Sequence, residues 1–436
     1  MKSLALQKRP DQLVLDLDTT ASHYELLHAN PHGTVIVWET GEKNHWHKIK
    51  PDTAQEDLRR FLDGLMGNPD TFFTINEFHG WRLTRLLKSL RAVFVDLDIG
   101  RPCDRADLAG AIDHLVEKNM PKPNLAIFSG RGMHFYWITT PTPAQALPVW
   151  QACEKALIDA LGDFKADRKA KDCTRVLRLA GTLNSKSGEE VRGVVLDGQP
   201  FSFHHLCDEV LGYWVRKDVK RTAEVRSFDA AQVRYGLHPK ATIFRRWHLV
   251  LTDLEQIGRH WKTIPDGHRN DFLFLNSVAL SWFASPESIQ DEVLDLARRF
   301  CPSVNDAEVM KATSASIARA RKAAGGEKAF WAGEEVDPRY RFKRQTLWER
   351  LEELALPIQA KMKAIIPDDI AKERKRARDS SRWKDKYTGS GIRKSNLEKV
   401  VIARGLREQG VSLREIAAAL EVKSPQTINR WLSSVS

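Results

Sequence analysis

Short, largely apolar runs recur through much of the first half of the chain. Residues 34–38, 71–75, 92–97, 125–128, 133–138 and 191–196 read as β-runs bounded by turn residues. Between them the apolar period lengthens to that of amphipathic helices, near 54–66, 80–90, 104–118 and 144–161. Mixed strands and helices predict an α/β or α+β domain over 1–225. From about 240 the pattern becomes purely helical. Stripes at 243–263, 269–284, 287–300 and 305–322 predict an all-α bundle over 240–323.

A Gly- and charge-rich stretch at 324–343 reads as a linker, and 345–377 as one highly charged helix. Residues 378–395 have the composition of a flexible connector, so 324–394 joins the bundle to a final module at 395–436. That module has a three-helix pattern. Ser412 caps a helix whose Leu413, Ile416, Ala417 and Leu420 share a face. Ser424-Pro425 then opens a last helix, with Ile428 and Trp431 inward and Gln426, Thr427, Asn429 and Arg430 outward. This is the pattern of a helix-turn-helix whose last helix is free to bind DNA.

Charge strengthens that expectation. The 436 residues carry a net charge of +11. Residues 371–436 hold 16 Lys/Arg against 7 Asp/Glu, a net of +9, so most of the imbalance lies in the tail. Five scattered cysteines without a CxxC pair argue against a zinc finger or a disulfide framework, and fit a reducing cytoplasm. No apolar run approaches the roughly 18 residues of a membrane helix. The polar start, MKSLALQKRPDQ, does not read as a signal peptide.

Three motifs carry the chemistry. Val93-Phe94-Val95-Asp96-Leu97-Asp98 ends a β-run, and period two puts both carboxylates on one face. Two aspartates so placed either meet water or share a divalent cation. Leu13-Val14-Leu15-Asp16-Leu17-Asp18 repeats the pattern but has no glycine-rich histidine motif shortly after it, and reads as a surface strand or helix entry. Ser129-Gly130-Arg131-Gly132-Met133-His134 comes next. Its glycines let backbone approach a ligand, and Arg131 can grip a phosphate. Asp167 follows, then Arg175, Arg178 and Lys186, with Arg175 and Arg178 set among apolar residues. Three carboxylates, a histidine and a set of cations suit nucleotidyl transfer, which uses two metals and positive charge on the triphosphate. No GxxxxGK[ST] occurs, so an ATP-driven helicase in cis is not expected.

In this order the motifs resemble the archaeo-eukaryotic primase superfamily, above all the replication primases of plasmids and phages. The likeness is strong over residues 70–200. The tract from Arg175-Val-Leu-Arg178 through Gly181-Thr-Leu-Asn184-Ser-Lys186 belongs to it. The resemblance implies a primase catalytic domain, with Asp96, Asp98 and Asp167 holding two Mg²⁺ or Mn²⁺ ions and counted with His134 as catalytic. It implies nucleotide binding by Ser129, Arg131, His134, Arg175, Arg178 and Lys186; Asp172 is the fallback for Asp167. Gly267-His268-Arg269-Asn270 and the helices after it resemble the helical domain that follows many such primases. The implied partners are single-stranded DNA template, nucleoside triphosphates, and a helicase or initiator in trans; no membrane is implied. Ala180 replaces a common proline, Glu421 stands where a turn glycine is usual, and no Cys/His cluster supplies a zinc knot. The expected function is primer synthesis de novo for plasmid or phage replication. The rivals are a non-enzymatic origin-binding initiator and a metal-dependent nuclease.

Overall fold

The structure, a computed structural model, describes residues 15–42, 44–211, 242–388 and 392–433. The expected boundary between the catalytic domain and the bundle, at 225–240, lies outside these residues, as does most of the expected 378–395 connector's glycine tract. Two compact units form. One comprises residues 1–343 with 349–365, and the other 344–348 with 366–436.

In the first unit the strands are β1 (Leu15–Leu17), β2 (Val35–Glu39), β3 (His45–Ile49), β4 (Thr71–Thr74), β5 (Glu77–Phe78) and β6 (Leu87–Leu97). They continue with β7 (Leu125–Phe128), β8 (Met133–Pro143), β9 (Val176–Arg178), β10 (Leu183–Asn184), β11 (Glu189–Glu190) and β12 (Arg192–Val195). Six make a sheet of order β1-β12-β7-β8-β6-β5, and four make a second of order β3-β2-β4-β9. Every ladder between these strands is antiparallel, which selects the α+β form of the expected fold. Helices α1 (Thr20–His28), α2 (Gln55–Asp63), α3 (Arg105–Glu117), α4 (Leu147–Ala160) and α5 (Phe203–Leu211) accompany the sheets. The long central strands β6 and β8 are buried along most of their length, with Val93, Phe94, Val95, Phe135, Tyr136 and Trp137 inaccessible.

Residues 80–90 correct the sequence reading. Only the 3₁₀ turn Thr84–Leu86 is helical there, and β6 starts at Leu87. Its first residues pair with β5 and with the end of β8, as Ser89 with Glu77 and Leu90 with Thr142. Leu83, Leu86, Leu87 and Leu90 imitate a helical period across this turn and strand start; a register shift follows between Leu90 and Ala92.

Helices Thr242–Trp261, Arg269–Leu280, Pro286–Phe300 and Asp306–Ala324 form the bundle where expected, around Trp247, Leu254, Phe272, Leu275, Ile289 and Val309. The cap of Arg269–Leu280 is His268, without a side-chain bond. The expected linker instead holds a hairpin, β13 (Ala329–Trp331) and β14 (Glu334–Val336). The expected single charged helix is two, Arg344–Ala355 and Asp368–Lys386. Pro357 and Pro367 stand between them and stop the helical ladder.

Bundle and sheets belong to one unit, joined by a buried ion cluster. Glu292, in helix Pro286–Phe300, accepts the Thr84 backbone N–H, and Arg85 meets both Glu292 and Asp295. The Arg85 and Glu292 side chains are almost wholly inaccessible, and burial pushes the Glu292 carboxyl up to about 7. Arg85→Met is expected to cost about 3–5 kcal/mol, because it leaves buried Glu292 without its cation. The double change Arg85→Met with Glu292→Leu should recover most of this. Urea unfolding of the three proteins measures it; a single-variant loss below about 1 kcal/mol would deny the cluster that role.

The second unit ends in helices Leu397–Glu408, Leu413–Ala419 and Pro425–Ser433. They enclose Val400, Ala403, Ile416, Ala417, Ile428 and Trp431. Ser412 and Glu415 make a reciprocal capping box. Glu421 takes a φ of 52°, which explains why a glycine suits this turn. Gln426, Asn429 and Arg430 are exposed and Thr427 is half-buried.

Candidate active site

Asp96 and Asp98 lie at the C-terminal end of β6, past the point where β5 has ended. Ladder register places His134 of β8 directly opposite Asp96. On the other side, residues 162–164 form a 3₁₀ turn and Lys165 takes left-handed geometry, with φ 57°. That turn lays residues 165–167 antiparallel along the free edge of β6. Ala166 bridges Leu97, the Asp167 N–H donates to the Asp96 carbonyl at 2.8 Å, and the Asp98 N–H donates to the Lys165 carbonyl at 3.2 Å. Asp167 therefore stands opposite Asp96, giving the lateral row His134, Asp96, Asp167, whose side chains share a face.

The glycine-rich turn is fitted against the same strand end. A Cβ on Gly132 would fall onto the Leu97 carbonyl oxygen, between the two aspartates, so no larger residue fits there. Gly130 has a φ of 90° and abuts Asn184 and Ser187. The Asn184 amide donates to the Ser129 carbonyl at 2.7 Å, and its oxygen accepts the Lys186 N–H at 3.1 Å. Asn184 thus clasps the turn carrying Arg131 to the one carrying Lys186.

The cations come from the second sheet and the segment leading to it. Arg175 Nη2 is 3.5 Å from Asp167 Oδ2. Arg178, on β9 opposite Phe72, lies with its guanidinium 4.7 Å from the centre of that ring. Its Nη1 donates to Asp70 Oδ1 at 2.7 Å. Asp70 also accepts the Ser185 hydroxyl. Burial works to raise the Asp70 carboxyl, but the Ser185 and Arg178 contacts outweigh it and hold it below its ordinary range.

Burial dominates the electrostatics of the row. It pushes the Asp96 carboxyl up to about 6; Asp167 and Asp98 add to the rise, and Arg175 and Arg178 oppose it. It also brings His134 down to about 3, helped by Arg178 and Arg175. Although Nε2 lies 3.7 Å from Asp96 Oδ1, His134 is a neutral imidazole beside a carboxylate rather than half of an ion pair. Its Nδ1 is buried with no hydrogen-bond partner.

These residues share one cleft of about 660 Å³. Asp96, Asp98, Ser129, Arg131, His134, Asp167, Arg175, Arg178 and Lys186 all line it, although they span ninety positions of sequence. Asp172 also reaches it, but it is buried and its Oδ1 accepts the Thr174 N–H and hydroxyl, whereas Asp167 is partly exposed and meets the Lys169 N–H and Arg175. Asp16 and Asp18 do not line the cleft, and Asp16 pairs with Arg105 at 2.6 Å on the surface. Sequence reading missed Arg82, a largely buried guanidinium that lines the cleft and covers the Trp46 ring at 4.9 Å. It also missed Trp38, Phe72 and the bundle's contribution of Glu287, Ser288 and Asp291. No local motif marks these residues, because tertiary packing brings them in.

The cleft's candidate metal donors are the oxygens of Asp96, Asp98 and Asp167, a hard-oxygen set suited to Mg²⁺ or Mn²⁺. Asp96 is buried between two like charges, an arrangement that a divalent cation would relieve. Among the described residues no group of three or more His, Cys, Asp and Glu side chains forms a ready-made cage. No helix among them is long and apolar enough to cross a membrane.

No family model matches the chain. It is 28% identical over 292 residues to a replication protein of Clostridium perfringens, a match spanning 66% of this chain and 66% of that protein's length. It is similar to the AEP domain of the cyanophage S-2L primase-polymerase, at 18% identity and a TM-score of 0.33, over 44% of this chain and 96% of that one. It is also similar to the primase RepB′, at 13% identity and a TM-score of 0.27, over 71% and 93%. In the order of its motifs, the chain resembles the archaeo-eukaryotic primase superfamily, of the plasmid and phage replication type.

Proposed function

We propose that the chain is a replication primase, a nucleotidyltransferase that starts new strands on single-stranded DNA. The observation that carries this reading is the row His134, Asp96, Asp167 facing Arg175 and Arg178 across one cleft. Nuclease chemistry also uses carboxylates, but it does not call for so many cations opposite them. Kinship with a replication protein supports a replicative setting.

In this reading Asp96, Asp98 and Asp167 would hold the divalent cations. When bound, these supply charge that lowers the pKa of the attacking 3′-hydroxyl and offsets that of the leaving pyrophosphate. Arg178 is oriented by Asp70 and flattened against Phe72, so its free edge is preorganised to receive a phosphate. Arg175, which lines the cleft beside Asp167, would offset charge on the triphosphate. Lys186 and Arg131 close the phosphate side from the two turns that Asn184 ties together. Neutral His134 donates a hydrogen bond to a phosphate oxygen without bringing charge. The test is labelled nucleotide with circular single-stranded DNA and Mg²⁺ or Mn²⁺, and no primer. Labelled product is expected; product only when a primer is added would restrict the reading to a polymerase, and degradation of template without synthesis would replace it with a nuclease.

The last three helices serve as a DNA-binding module in this proposal, with Gln426, Thr427, Asn429 and Arg430 toward the groove. Deleting residues 391–436 should weaken DNA binding and flatten its salt dependence, while synthesis on excess single-stranded template stays measurable. Arg430→Ala alone should cost about 1–3 kcal/mol of site-specific binding. Unchanged DNA affinity after the deletion would make the module a docking site for protein.

A further inference from the structure

The short segment from Asp167 to Asp172 serves two cavities. Asp167, Lys169 and Asp172 line the catalytic cleft, whereas Arg168 and Lys171 line a second cavity of about 310 Å³. Helix α4 forms another wall of it. The bundle supplies Trp282, and the chain following the β13–β14 hairpin supplies Arg339.

Charge in this cavity is unbalanced. Two of its carboxylates are already engaged, Asp159 by Lys155 and Asp337 by Arg339. The side chains of Arg168, Lys171 and Lys328 make no hydrogen bond or ion pair among the described residues, and only Glu327 remains to oppose them. Glu154 lies near Lys171 and favours its charged form, while burial pushes the Glu154 carboxyl well above its ordinary value. Burial and the neighbouring Arg339 together depress the Lys171 ammonium to about 8. Cations that outnumber the carboxylates around them create a site that an anion would stabilise.

The geometry is built rather than incidental. The Arg339 guanidinium covers the Trp282 ring at 3.9 Å and donates to the Ser281 carbonyl at 3.1 Å, which fixes its direction. Gly326 has a φ of 80°, and a Cβ there would lie 2.8 Å from Arg168 Nη1, so the glycine makes room for that guanidinium.

We propose that this cavity binds a small phosphate-bearing anion, of the size of pyrophosphate or a nucleoside monophosphate, separately from the catalytic cleft. Because Arg168 adjoins Asp167, a ligand there draws on the segment that sets the third carboxylate against β6. The site itself does not depend on the primase reading.

Calorimetric titration of the full chain in EDTA, with pyrophosphate and with AMP in separate arms, tests this. Arg178→Ala with Lys186→Ala, which disables the cleft's phosphate side, should leave one binding event. Lys171→Met should weaken that event about tenfold or more, the loss of one charge-assisted contact, and Lys171→Arg should restore it. The AMP arm tells whether a nucleoside adds to the affinity. Hydrogen exchange at residues 165–175 should slow when the anion binds. Should Lys171→Met fold poorly, the exposed Arg168→Ala carries the same expectation. Loss of all binding in the cleft variant, or binding indifferent to both Lys171 and Arg168, would overturn the proposal. So would protection of Lys171 by a single-stranded oligonucleotide but by neither small anion.

Discussion

Asp96→Asn is expected to reduce primer synthesis about a thousandfold, roughly 4 kcal/mol of transition-state stabilisation, without loss of the fold. The carboxylate sits between His134 and Asp167 and has Asp98 two residues along the strand, so its removal empties the centre of the row. It should also relieve strain. The folded-state pKa of Asp96, about 6, lies above its ordinary 3.8, so the folded protein holds this proton more tightly than the unfolded chain does. The stability it contributes is present at low pH and is lost as pH rises from about 3.8 through about 6. Metal-free wild type should weaken across that window more than Asp96→Asn does. Mn²⁺ should raise the melting temperature of wild type, by mass action, and leave the variant's nearly unchanged. A folded variant with near-normal synthesis, or one that Mn²⁺ stabilises as well as wild type, would end the assignment. Asp16→Ala should be almost silent, since its carboxylate meets Arg105 on the surface.

Arg178→Ala should raise the nucleotide requirement steeply, by about 2–5 kcal/mol, the range for truncating a desolvated charge contact. The template requirement should change little. Arg178→Lys should recover only part, because an ammonium cannot both lie flat on Phe72 and keep a forked contact with Asp70 and a phosphate. Asp70→Asn should show the same kind of defect in milder form, since it loosens the guanidinium without removing it. Nucleotide and template titrated separately decide the matter. An effect confined to template would move Arg178 out of the triphosphate site.

The parts of this architecture legible in sequence are those with local causes. Residues 125–128 are a short apolar run that stops at Ser129-Gly130, and the strand there has those bounds. Asp96 and Asp98 share a face because a strand has period two. What escaped had non-local causes. The start of β6 was hidden by a helix-like spacing of leucines, and only its pairing with β5 and the end of β8 makes it a strand. The β13–β14 hairpin turns on Ala332 and Gly333, both with positive φ, and alanine in that conformation gives none of the Asn-Gly signal of such turns. Arg82 follows a glycine and a tryptophan in no recognisable motif, and only tertiary packing brings it to the cleft. That Asp167 is opposite Asp96, rather than merely near it, depends on Lys165 taking a left-handed conformation that composition does not announce.

The way Asp167 is held also sets an order of failure. Its carboxylate belongs to no regular strand. A single bridge and two backbone hydrogen bonds tie 165–167 to the margin of a sheet whose centre is far more firmly paired. Such a margin opens at a lower free energy than the whole domain. Warmed or mildly denatured protein should therefore pass through a reversible inactive state, globally native but with its third carboxylate adrift. Synthesis should fade before tryptophan fluorescence or circular dichroism reports any melting. The amides of Asp98 and Asp167 should exchange with solvent while those of Val93 and Val95 stay protected.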